Sequence, residues 1–442
     1  MELLGLVERL HPLHRTLASD GTDIALELVG EALPDGVRYE IESYTPGDSA
    51  WTWSVPERYV VREAWVETEA GQRIVDFVDS PLHLVSYSTP IYALLSWDEL
   101  APHLHVAAHR PEAIPWEFKY YERDWGFCLS KVRFDALDRS VRYRVRIDAS
   151  FEDGKGNGLR IGTAVIHPSG GSNPDAGEFL VCAHICHPAQ SNDDAAGVAS
   201  AVGVAYRLAA SPLAAGSMSV RFLFCPETIG SICFLAHNEE LIDRMRGGVF
   251  VEMTGNENSL VLQRTLEDHS VLDRVAQRVF AARFGPGFRQ GAFRGVIVND
   301  EFVINGPGVG VPCLSVSRWP YPEYHTSDDN PSIIREERLR EAADVVEEIV
   351  RIYASDWRPK RTFRGPVFLS GLGLWVDWRE NPRLNAALDR LMLELEGDRS
   401  IFEIAEELEM DFWEAHEYLA RFEQAGLVAR LPLGSPGATA RK

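Results

Sequence analysis

Between about residues 158 and 355 the chain alternates short β-rich runs with helical stretches, and this alternation restricts the fold more than any other feature. Residues 179–183, 220–225, 249–253 and 314–317 read as strands, being short apolar runs rich in Val, Phe and Leu. Residues 195–210, 229–244, 270–283 and 336–353 place apolar residues at helical spacing. Strands that alternate with helices, and that are apolar on both sides, predict an α/β domain whose sheet is covered on both faces. Ligands in such folds collect at the carboxyl ends of the strands.

The rest of the chain divides by texture. Residues 1–35 carry Leu, Val and Ile at helical spacing, with Ser19 and Asp20 as caps, and predict two helices packed on the α/β domain at 153–360. Residues 36–152 switch to alternation, as in Tyr59-Val60-Val61-Arg62-Glu63-Ala64-Trp65-Val66, and predict a mainly β domain. Its tryptophans and tyrosines, Trp116 and Tyr120 among them, belong first to a core and secondarily to a substrate surface. A Pro- and Arg-rich stretch at 357–366 reads as a linker to residues 367–434, where three helices and a short strand pair look like a winged helix.

Charge bears on partners. The formal net charge of −22 repels phosphate backbones and anionic membrane surfaces. Residues 384–430 hold twelve acidic side chains against four arginines, which argues against DNA binding and for packing, homo-oligomerisation or a protein partner at the winged helix. No stretch approaches the roughly 20 apolar residues of a membrane span. Glu2, Glu8, His11 and Pro12 break up the opening segment, and the six cysteines are scattered without a Cys-x-x-Cys. A cytoplasmic protein with reduced thiols is the expectation.

Acidic and histidine residues stand where the predicted strands stop. The first run ends in His184, followed by Ile185-Cys186-His187-Pro188, and Asn192-Asp193-Asp194-Ala195-Ala196-Gly197 opens a helix. The second ends in Cys225-Pro226-Glu227-Thr228-Ile229-Gly230-Ser231, and the third in Glu252-Met253-Thr254-Gly255. After Asn299-Asp300-Glu301-Phe302 and Gly310-Val311-Pro312 comes Tyr324-His325-Thr326-Ser327-Asp328-Asp329. Imidazoles and carboxylates along one sheet edge suit a hydrolytic zinc site, in which a carboxylate can bridge two ions and an open position holds water. No serine-nucleophile motif competes with this reading.

In this order of motifs, residues 158 to 355 resemble the zinc aminopeptidase superfamily. The resemblance implies a zinc-exopeptidase-like mixed sheet flanked by helices, and His184, Asp193, Glu252 and His325 as ligands of one or two zinc ions. Asp194 is then left to cap the helix. The whole chain resembles a bacterial subgroup with an aminopeptidase-like domain, an inserted mainly β domain and a C-terminal winged helix. Members of that subgroup are often placed near surface-polysaccharide or secondary-metabolite biosynthesis, and the inserted domain suggests a lid that favours small substrates.

Three departures from the superfamily pattern bear on mechanism. Cys186 stands where an aspartate usually orients the first histidine. The acidic pair is reduced to Glu227, because Thr228 follows it, so Glu227 is either the general base or a ligand. Glu252 is one methylene longer than the usual aspartate. His187 reads as a pocket donor to substrate or an alternative ligand, and Glu301 as a candidate anchor for a free amine. The expected activity is hydrolysis of an amide in a small peptide or amino-acyl substrate. The alternatives are an amidase or deacylase of a polysaccharide or natural-product intermediate, and a non-catalytic binding or regulatory protein.

Overall fold

Eight strands form the central sheet, in the order Tyr39–Tyr44, Leu159–Ile166, Ser219–Cys225, Glu178–His184, Met245–Val251, Cys313–Ser317, Val261–Gln263 and Arg289–Gly291. The structure is a computed structural model and describes residues 2–154 and 158–433. Met1, residues 155–157 and Gly434, parts of three of the expected segments, lie outside the described residues. The four strands from Ser219–Cys225 to Cys313–Ser317 are mutually parallel, while Tyr39–Tyr44, Leu159–Ile166 and Val261–Gln263 join antiparallel. The sheet is therefore mixed, with the carboxyl ends of its four central strands along one edge.

Period-two burial explains why these strands are apolar throughout. In Glu178–His184, Phe179, Val181 and Ala183 enter one core while Leu180 and Cys182 enter a second, on the opposite face. The first core takes in the helices Gly197–Ala210, Val271–Phe284 and Glu336–Ser355. Leu3, Leu6, Val7 and Leu10, at helical spacing along Leu3–Leu10, pack into the same core. Asp20–Ala32 follows, with the Ser19 hydroxyl accepting from Thr22 N at 3.2 Å as its cap.

The second face is covered by the helix Ile229–His237 and by a four-stranded antiparallel sheet ordered Arg73–Asp76, Arg58–Thr68, Tyr143–Glu152 and Ile91–Leu95. Tyr143, Val145 and Ile147 of that sheet share a core with Leu223 and Phe250 of the central one.

The elements depart from the sequence expectations in three places. Tyr39–Tyr44, expected in the β domain beginning at residue 36, is an edge strand of the central sheet. The strand expected at 249–253 spans Met245–Val251, which leaves Glu252 in the following loop. The expected linker at 357–366 carries the strand Arg358–Arg361, paired with Val428–Leu431, because Trp357 is only 1% exposed and anchors it. Beyond it lie the helices Pro382–Leu393, Ile401–Glu407 and Phe412–Gln424. Asp356 Oδ1 accepts from Phe402 N at 3.1 Å and so caps the second of these from the end of Glu336–Ser355. Among the described residues no helix is long and apolar enough to cross a membrane. All six cysteines are free and buried.

Candidate metal centre

Strand register brings the chemistry together. His184 closes its strand directly opposite Cys225, two residues before Glu227. Asp193 arrives on the irregular segment before Gly197–Ala210, and His325 on the loop after Cys313–Ser317. The Asp193 carboxylate lies between the two histidines, with Oδ1 3.1 Å from His184 Nε2 and Oδ2 3.1 Å from His325 Nε2. Side chains 141 residues apart in the chain thus share one carboxylate.

His187 stands beside this pair. Its Nδ1 is 3.1 Å from His184 Nδ1 and 3.5 Å from Cys186 Sγ, and its Nε2 is 3.2 Å from Glu227 Oε2. Two sets of donor atoms lie within 4.8 Å of one another, one on His184, Cys186 and His187 and the other on His187, Asp193 and His325. Glu227 is half-buried, and its N–H donates to Cys186 Sγ at 3.1 Å. His187, Thr228, Met253 and His325 all hold positive φ, at 80°, 60°, 48° and 55°. Such backbone is strained for non-glycine residues and clusters where side chains must be aimed.

The donor set fits a zinc ion. His184 Nε2 and His187 Nε2 are buried without an aligned hydrogen bond, although carboxylate oxygens lie close by. Imidazole nitrogen, carboxylate oxygen and thiol sulfur are the atom types zinc takes. Burial works against charge on Asp193, but His187, His184 and His325 outweigh it and hold the carboxyl well below the usual range. Burial likewise opposes the Cys186 thiolate, and the His187 and His184 imidazoles, His187 first, bring the thiol down to about 6. Burial lowers His325, which favours the neutral ring that a ligand must present.

Besides Glu227, two expected site residues lie outside both donor sets. Glu252 Oε1 accepts from Ser315 Oγ at 2.9 Å and Oε2 from Asn299 Nδ2. Burial, then the charges of Glu301 and Asp194, push its carboxyl well up. Glu301 accepts from Gln263 Nε2 at 2.9 Å and from Asn299 N at 3.0 Å, and is fully buried. Its oxygens serve the loop before Asp300–Ile304, whose backbone amide at Asn299 needs a partner. Asp194 takes the expected structural role, accepting from Gly197 N and Met253 N at 2.9 Å each.

Several supporting residues escaped the motif reading. The fully buried Arg15 guanidinium donates to the carbonyls of Ile185 at 2.7 Å, Cys186 at 3.0 Å and Gln190 at 2.7 Å. Asp329 accepts from Asn192 N at 2.6 Å and Asp193 N at 3.1 Å, and from Tyr321 Oη at 2.7 Å. Asp300 accepts from Thr228 N at 3.0 Å. Trp116, from the β region, sets its ring edge-on to His187 at 4.2 Å and His325 at 4.5 Å, and its backbone N–H donates to His325 O at 2.8 Å. Tyr324 stacks on the His325 ring at 3.7 Å.

Comparison with known proteins places the fold and the family. A family described as a domain of unknown function, DUF4910, matches residues 4–356. A Clostridium acetobutylicum protein, provisionally named for polysaccharide biosynthesis and for an aminopeptidase-like domain, is 29% identical over 359 residues, covering 79% of this chain and 77% of its own. A crystal structure from Clostridium acetobutylicum, provisionally named a peptidase, superposes with a TM-score of 0.80 at 26% identity over 97% of this chain and 96% of that one. The zinc aminopeptidase BSAP from Bacillus subtilis superposes with a TM-score of 0.58 at 16% identity, over 79% of this chain and 93% of its own. At that identity the likeness establishes the fold.

Proposed function

The chain belongs to the DUF4910 family and has the fold of the zinc aminopeptidases, and from this premise we propose that it is a zinc-dependent hydrolase cleaving an amide bond in a small peptide or amino-acyl substrate. The observation that carries the proposal is the Asp193 carboxylate lying 3.1 Å from both His184 Nε2 and His325 Nε2. His184, Asp193 and His325 would hold one or two zinc ions between them. Bound there, zinc would supply Lewis acidity, polarising the scissile carbonyl and lowering the pKa of water.

The chain's own residues supply the proton chemistry. Glu227 is more exposed than the buried cluster and carries no second carboxylate beside it. Burial opposes its charged form, but the His187 contact outweighs it and holds the carboxyl below its usual range, so it is ionised and ready to accept. A Glu227 carboxylate oxygen takes a proton from the attacking water as the new C–O bond forms, and returns it to the amine nitrogen as the C–N bond breaks. Trp116 covers His187 and His325 and excludes bulk water from the cluster, which supports small substrates over folded proteins.

The direct test is hydrolysis of amino-acid anilides by protein whose metal content is measured in parallel. Activity lost on chelation and restored by zinc is expected, and full activity in metal-free protein would overturn the proposal. The Clostridium relative's provisional link to polysaccharide biosynthesis favours a second reading, deacylation of an amino sugar. Turnover of acylated amino sugars with none of anilides would select it.

A further inference from the structure

We infer that His187 is itself a metal ligand, replacing the carboxylate that Thr228 does not supply beside Glu227; the inference rests on the reading of this cluster as a zinc centre. His187 is the one residue common to both sets of converging donors, that with Asp193 and His325 and that with His184 and Cys186. A zinc ion in a catalytic site takes three protein ligands and leaves a position open. Asp193 and His325 supply two on one side of the shared carboxylate, with His184 on its other side, and His187 is the third donor within 4.8 Å of Asp193 and His325, so that three imidazoles in all would bind across the centre. Glu227 is then free to carry protons.

The setting of the ring supports a ligand over a substrate contact. His187 is 1% exposed, and its Nε2 has no aligned hydrogen bond. A histidine retained only for packing ordinarily satisfies both nitrogens. Its backbone is held at φ 80°, in the left-handed region, with Pro188 following. Arg15 grips the carbonyls of the two residues immediately before it, Ile185 and Cys186, while Trp116 packs edge-on against its ring. A side chain fixed from backbone and ring alike is preorganised in the way a metal ligand needs. The carboxylate expected from the superfamily pattern is thereby exchanged for an imidazole carried on the loop after the neighbouring parallel strand, the one that ends in His184.

The test uses the full-length protein, stripped of metal and reloaded with zinc, as wild type, His184→Ala, His187→Ala and His187→Gln. Bound zinc is counted by elemental analysis, and affinity is read by competition with a chromophoric chelator. Both His187 variants are expected to bind zinc at least about tenfold more weakly, no less than the loss of an outer partner of a ligand costs. Zinc content and affinity equal to wild type in both, with a raised KM alone, would overturn the inference and make His187 a substrate contact. Zinc-edge X-ray absorption on the wild type stands even where a variant does not fold. Three imidazoles in total across the bound zinc support the inference, and two overturn it. Wild-type protein that takes up no zinc would sink the zinc-centre reading itself, a result distinct from wild type and His187 variants binding zinc alike.

Discussion

Replacing Arg15 by methionine tests whether the loop carrying His184, Cys186 and His187 is held from the N-terminal segment. The guanidinium is fully buried and donates to the carbonyls of Leu10, Ile185, Cys186 and Gln190. Leu10 O keeps Leu13 N as a second donor, whereas Arg15 is the donor recorded for the other three carbonyls among the described residues. Each buried carbonyl left unsatisfied costs about 1–3 kcal/mol. Against this, methionine relieves the desolvation of a buried charge, a penalty visible in a guanidinium that burial pushes down to about 10. The net loss expected is about 3–5 kcal/mol, the usual result of removing one side of a buried ionic arrangement. Guanidinium denaturation followed by tryptophan fluorescence reads it. Arg15→Lys keeps the charge but not the planar fork, and should recover only part of the loss. An Arg15→Met protein within about 1 kcal/mol of wild type would refute the argument, because surface-like tolerance is incompatible with three dependent carbonyls.

Asp193→Asn removes the charge shared by His184 and His325, and bound zinc after dialysis should fall by about tenfold or more, as read by elemental analysis. Burial raises the Asp356 carboxyl to about 7, above its unfolded value near 3.9, so the folded chain binds more protons between those values. Stability should therefore fall as pH rises from about 4 to about 7, by up to about 4 kcal/mol from this group, and level off above. Asp356→Asn should remove that slope in denaturation curves taken across the range, and an unchanged slope would count against it. Trp116→Ala should cost about 3–5 kcal/mol, since the indole is only 4% exposed between the two histidines, and a loss under about 1 kcal/mol would show that the cover is not packed.

The central strands and helices were legible because burial on both faces leaves an uninterrupted apolar run, as in Phe179 to Ala183. The meeting of His184, Asp193 and His325 was legible through the order of motifs at strand ends. Glu252 lies outside the converging donor sets, and that was not legible because Ser315 and Asn299 hold its carboxylate from distant segments. Tyr39–Tyr44 went to the wrong sheet because an edge strand and a strand of a separate β region share the same alternation. Trp357 announced a core position, yet the Pro and Arg residues after it read as a linker, and only pairing with Val428–Leu431 makes them a strand. Arg15 carried no local signal for this role, since the site carbonyls it holds lie more than 160 residues away.

These long-range contacts share one logic. The site's loops are held by buried ionisable side chains acting on backbone rather than on one another. Arg15 takes the carbonyls at 185, 186 and 190, Asp329 the amides at 192 and 193, Asp300 the amide of Thr228, and Asp194 the amide of Met253. Each costs desolvation, which pushes the Asp194, Asp300 and Asp329 carboxyls up, and is tolerated because it satisfies groups that strained, non-helical backbone cannot pair within its own segment. The superfamily pattern orients the first histidine with an aspartate directly behind it, and here Cys186 occupies that place. Cys186 Sγ stands 3.8 Å from His184 Nδ1, a longer and softer contact than a carboxylate oxygen makes. Aiming therefore passes to the backbone, which explains why positive φ recurs at His187, Thr228, Met253 and His325 and why the side chains that hold those loops come from so far along the chain.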